Sequence, residues 1–153
     1  MSNARFHYVP VKDIPYVWHQ VKPLIDRGLD IADYEITTSD YIDFLMSDSC
    51  VLFIGLVKDF TNDFKALKDG DVKSIVVADV TEYPRTNVLQ IHLWATTSGR
   101  DYQLWVDQFP TIEDWGRDRG CTVTTALCRK GLAKKLTQLS GWKEKSTLLT
   151  KQL

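Results

Sequence analysis

The residues able to do acid–base, nucleophilic or metal chemistry are few and scattered along this chain. Histidine occurs only at His7, His19 and His92, too far apart to read as a ligand set, so no metal site is expected. His92 lies in an alternating apolar stretch, and the ordinary titration range of imidazole suits a general base. A lone histidine on a strand is more often structural or solvent-facing. Gln90 stands two residues before it, and Glu82 reads as a solvated edge charge. Cys50, Cys121 and Cys128 form no CxxC, and an odd count argues against a disulfide framework. Each lies in or beside an apolar stretch, where a reduced, buried thiol is expected. No Ser–His–Asp or Cys–His constellation is visible.

The elements that must position these residues alternate without a linker, repeat or low-complexity segment. Phe6 to Val11 reads as a short first strand. Asp13-Ile14-Pro15 starts a helix, with Val17, Trp18, Val21, Leu24 and Ile25 at helical spacing, Pro23 as a kink and Gly28 as a stop. Thr38 to Asp40 caps a second helix carrying Tyr41, Ile42, Leu45 and Met46. Cys50 to Val57 is continuously apolar, as in a strand covered on both faces. Lys73 to Tyr83 and Val88 to Ala95 read as two more strands, with Pro84 ending the first and Thr86-Asn87 as the turn. A helix follows from about Asp101 to Phe109, broken by Pro110 and resumed from Ile112 to Asp118. Cys121 to Cys128 has strand composition. Arg129 to Leu139 is helical, with Gly141 as its stop. Trp142 to Leu153 is long enough for a last strand. The fold class expected is α/β (α+β): one domain over 1–153 with a mixed, mostly antiparallel central sheet and helices on both faces.

Composition supports one folded domain. The 153 residues are 44% hydrophobic and 25% charged, with a formal charge of −1. A chain of this length buries roughly 70% of its unfolded surface. The charge balance argues against a dedicated nucleic-acid binder. The lysines at 130, 134, 135, 143, 145 and 151 read as a solvated face. No apolar run is long enough to span a membrane, and the first residues have no apolar signal region.

The element order, with Gly141-Trp142 after the last helix, resembles the GNAT acetyltransferase fold over nearly the whole chain. The opening Val9-Pro10 with Asp13-Ile14 and Val17-Trp18 is similar to a smaller group, the GNAT-like proteins of tailed bacteriophages. Tyr83-Pro84, Gly120-Cys121 and the segment Cys128-Arg129-Lys130-Gly131-Leu132 with Leu136 fit the same group. The resemblance implies that strands four and five run parallel and splay apart.

Carried over residue by residue, the family's chemistry is degenerate. The loop that would cradle the acetyl-CoA pyrophosphate falls on Thr97, Ser98, Gly99 and Arg100, followed by Asp101. It holds one glycine, and the Asp101 carboxylate would repel phosphate. Thr97, Ser98 and Arg100 could at most form a small anion pocket. The position of the family's acidic tyrosine falls on Thr137, whose hydroxyl is far too weak an acid. The base, a strand-four glutamate in many members, is matched only by Gln90 or His92.

The resemblance therefore implies a catalytically silent GNAT-fold protein. It would act as a structural or interaction component of a virion, in the tail or head–tail region. Its partners would be other phage structural proteins in a symmetric multi-copy assembly, with no cofactor and no acetyl-CoA bound at millimolar concentration. The alternative is an acetyl-CoA-dependent N-acyltransferase with a divergent phosphate loop. Under the first reading the energy of an interface would concentrate in aromatic and arginine anchors, with Tyr102, Trp105, Arg117 and Arg119 as candidates. For Trp105 and Trp115 a core position is the ordinary alternative.

Overall fold

The computed structural model describes residues 3–29, 36–127, 130–139, 141–145, 149 and 151–153. A five-stranded sheet runs in the order β1 to β5: β1 Ala4–Val9, β2 Val51–Val57, β3 Ser74–Tyr83, β4 Thr86–Thr96 and β5 Cys121–Ala126. The first three junctions are antiparallel and β4 pairs β5 in parallel. Helices α1 Ile14–Leu29 and α2 Thr38–Met46 cover one face. Helices α3 Tyr102–Val106 and α4 Phe109–Arg117 cover the other, and α5 Lys130–Leu139 follows β5. This is the mixed, mostly antiparallel α+β sheet expected. Among the described residues, no helix is long and apolar enough to cross a membrane.

β2 is buried because both faces are covered. Leu52, Ile54 and Leu56 join α1 residues Val17, Val21, Leu24 and Ile25 in one core. Phe53 joins Phe6, Trp105, Phe109 and Ile112 in the other. α1 is not split at Pro23 and runs as one helix through it. Pro23 stands on the exposed side, where water can replace the bond it cannot make, while three buried residues before it and two after it hold the helix to the sheet.

Three local expectations are corrected. The turn between β3 and β4 is Pro84-Arg85, because Tyr83 pairs with Thr86. Pro110 does not break a helix: it lies in the first turn of α4, where its missing N–H needs no partner, and the break falls at 107–108. The strand expected over Trp142–Leu153 does not form at 142–145, 149 or 151–153, and the other positions lie outside the described residues. Gly141, in the left-handed region at φ +74°, turns the chain after α5.

β4 and β5 run parallel as expected, and their pairing ends where β5 ends. Their register runs from Asn87–Cys121 to Ile91–Ala126 and stops there, while β4 continues to Thr96. The first residue of β4 beyond that pairing is His92.

Candidate active site

His92 is placed by a defect in the sheet. Val77 pairs with Leu93 but Ala78 pairs with Ile91, so His92 is the extra residue of a β-bulge. Bulges re-aim a side chain while the flanking ladder stays intact. Here the His92 Nε2 lies 2.6 Å from Oδ2 of Asp79 on β3, with both side chains partly exposed. The other oxygen, Oδ1, accepts the Thr81 hydroxyl at 2.9 Å. Opposite a carboxylate, Nε2 carries the hydrogen and donates, which leaves Nδ1 as the proton acceptor of the neutral ring.

Cys50, the bend residue just before β2, completes a row with Asp79 and His92. Val51 pairs with Ala78, so Cys50 comes next to Asp79, and its own N–H donates to the Phe44 carbonyl at the end of α2. A ligating atom from each of Cys50, Asp79 and His92 lies within 4.8 Å of the other two. Burial, then the Asp79 charge, pushes the Cys50 thiol up to about 11. It is therefore a thiol rather than a thiolate at neutral pH, and a poor nucleophile.

This convergence overturns the expectation that no His-containing constellation exists. Asp79 and Cys50 went unrecognised as site residues. The available signal was the hairpin: with Tyr83 opposite Thr86, Asp79 falls opposite Gln90 and one bulged residue from His92. The expected turn at Thr86-Asn87 displaces that pairing. The other histidines are elsewhere. His19 meets Asp69 at 3.0 Å on the surface. His7 is half-buried beside Phe60, and burial, reinforced by Arg5, holds its pKa below the usual value. Glu82 is exposed near the end of β3.

The loop after β4 is an ordinary helix cap. The Arg100 N–H donates to the Ser98 hydroxyl at 3.3 Å and the Asp101 N–H to the Ser98 carbonyl at 3.2 Å. The Thr97 N–H donates to the Lys73 carbonyl, and the Thr97 carbonyl accepts Arg27. A Cβ on Gly99 would meet nothing within 4 Å, so no packing requires glycine there. With three amides turned inward and Asp101 beside them, these residues do not fit a diphosphate. From His92 to Thr96, β4 runs beyond the end of its pairing with β5.

Of the four candidate interface residues, Arg117 and Arg119 are exposed, Tyr102 is half-buried and Trp105 is buried. Trp105 is 1% exposed and packs on Phe6, so it is a core residue rather than an anchor. Tyr102 lies against Trp94 with ring centroids 5.0 Å apart. Arg117 is exposed and bound to Asp114 and Glu113 of its own helix. Arg119 lies 3.7 Å over the Trp115 ring. Thr137 is exposed on α5, and its hydroxyl donates to the Lys134 carbonyl. Cys121 is buried and its thiol is raised by that burial. Cys128 lies outside the described residues.

No protein-family model matches the chain, and no curated protein matches it. Solved structures do. An aminoglycoside acetyltransferase from an uncultured soil metagenomic sample superposes with TM-score 0.69 at 11% identity, covering 99% of this chain and 97% of that one. Glucosamine-6-phosphate N-acetyltransferase from Arabidopsis thaliana gives 0.62 at 13%, with 97% of each chain covered. A GNAT family acetyltransferase from Staphylococcus aureus gives 0.63 at 13%, with 100% of each covered. At such identities the likeness speaks for the fold and leaves the chemistry to the residues. The chain has the fold of the GNAT acetyltransferases.

Proposed function

We propose that the protein is an N-acyltransferase that moves an acyl group from a pantetheine thioester to an amine. The observation that carries this reading is the His92–Asp79 pair, at the residue where β4 leaves β5. The names of the similar structures describe transfer to amines of aminoglycosides and of glucosamine 6-phosphate. That supports the reaction class and leaves the acceptor open.

Bound along β4 from His92 to Thr96, the thioester would supply an acyl carbon activated for attack by an amine. His92 accepts at Nδ1 the proton that the attacking nitrogen loses, the tetrahedral adduct then breaks its carbon–sulfur bond, and the departing pantetheine thiolate takes its proton from solvent. Asp79 fixes the ring through Nε2–H and stabilises the imidazolium that forms. Thr81 holds the carboxylate from its far side. Thr137 has no part, because its hydroxyl is directed to its own helix backbone.

The inward-turned amides at 97, 100 and 101 favour a second reading, a silent GNAT-fold protein, and only the sequence resemblance suggests that it serves in a phage particle. Calorimetry with acetyl-CoA, followed by thiol release in the presence of a panel of primary amines, separates the two. Saturable binding and amine-dependent release support the transferase. No heat at millimolar ligand and no release support the silent protein.

A further inference from the structure

We propose that Cys50, Asp79 and His92 form a binding site for a divalent transition metal of the zinc class. Strands β3 and β4, with the bend residue just before β2, deliver one carboxylate oxygen, one ring nitrogen and one sulfur to the same point, mutually within 4.8 Å. Thiolate with imidazole and carboxylate is a ligand set that selects zinc over magnesium or calcium. Three protein ligands with the remaining position left to solvent is the arrangement of open zinc sites. The ligands are also held from behind. Thr81 donates to the Asp79 oxygen that does not face His92, and the Cys50 backbone is tied to Phe44. Such outer contacts orient ligands before the ion arrives.

Tetrahedral ligation at about 2.0–2.3 Å places ligand atoms roughly 3.3–3.7 Å apart. The 2.6 Å contact between Asp79 and His92 therefore opens by about an ångström, and Cys50 closes on them. Both partly exposed side chains can move this far without disturbing the core. Binding releases the Cys50 proton to solvent, because a coordinating thiol is deprotonated outright. The dication offsets the Asp79 charge that otherwise disfavours the thiolate. Resting on the acyl-transfer reading, one consequence follows: an occupied site withdraws His92 from proton transfer, so the metal is a reversible inhibitor.

The test is a Co²⁺ titration of tag-free protein, read by absorption. One equivalent should give an intense near-ultraviolet thiolate band with visible bands of four-coordinate cobalt, both bleached by Zn²⁺. Cys50→Ser should lose the thiolate band, and His92→Gln and Asp79→Asn should weaken binding at least tenfold. Cys121→Ser and Cys128→Ser should keep the band. Far-ultraviolet circular dichroism of each variant shows whether it is folded, and the Asp79 and His92 changes serve if the Cys50 variant unfolds. Absence of saturable binding by the wild type, or a thiolate band that survives Cys50→Ser, overturns the proposal. Amine-dependent transfer without cobalt binding sinks the metal site alone. Cobalt binding without transfer sinks the transferase alone.

Discussion

The ring of Trp105 lies so close to Gly55 that a Cβ on that residue would sit 2.5 Å from it. The contact joins α3 to strand β2 and accounts for the burial of Trp105. Trp105→Ala should cost about 3–5 kcal/mol in denaturant unfolding, as for large core aromatics. Gly55→Ala should cost about 1–3 kcal/mol by overpacking, since ring and strand are both held. A Trp105→Ala protein with unchanged melting would contradict this packing.

α2 begins at a reciprocal cap. The Thr37 hydroxyl accepts the Asp40 N–H, and the Asp40 carboxylate accepts the Thr37 N–H at 2.8 Å. Thr37→Ala should lower stability by about 1 kcal/mol in urea unfolding. The same hydrogen bonds from Thr37 hold the Asp40 carboxyl below its ordinary 3.8. A lowered carboxyl contributes stability that is present above the unfolded value and is lost as pH falls through the folded one. Asp40→Asn removes the titrating carboxyl and should therefore flatten the acid limb of the melting-temperature profile below about pH 4, whereas Thr37→Ala keeps the backbone N–H bond and should flatten it only in part.

His7 has the same sign for a different reason. Its Nε2 is buried with no hydrogen-bond partner, and burial disfavours the charged ring. The folded pKa lies below the unfolded 6.5, so His7 adds stability above that value and loses it as pH falls further. His7→Phe should remove this slope as pH falls below about 6.5, measured by thermal melts. An identical slope in the variant would place the titration elsewhere.

The architecture was legible because its signals are local. The continuous apolar run from Val51 to Ile54 demanded cover on both faces, and the spacing from Val17 to Ile25 demanded a helix. The site was not legible, because it depends on register. Placing the turn at Thr86-Asn87 instead of Pro84-Arg85 moves every cross-strand neighbour, and a bulge is invisible to period-two counting. So Asp79 read as one polar residue in an apolar strand and His92 as a lone histidine. Trp105 was ambiguous for a related reason: the break at 107–108 sets the phase of α3, and Pro110 drew attention to the wrong place.

Thr81 acts on the reaction only through Asp79. Thr81→Val should lower kcat on the order of tenfold, the effect of losing one hydrogen bond to a charged group. KM for the acyl donor should not move, and Thr81→Ser should restore the rate. A change confined to KM would make Thr81 part of the binding surface instead.

The central claim is that His92, held by Asp79, removes the proton from an acyl-accepting amine. The direct measurement is kcat for thiol release from S-acetylpantetheine, which lacks the diphosphate, with the best amine of a panel, in wild type and His92→Gln. The account predicts a drop of about 10²–10⁴-fold in folded His92→Gln, the usual range for a general base. Equal rates in the two proteins, or no amine-dependent release by the wild type, would contradict it.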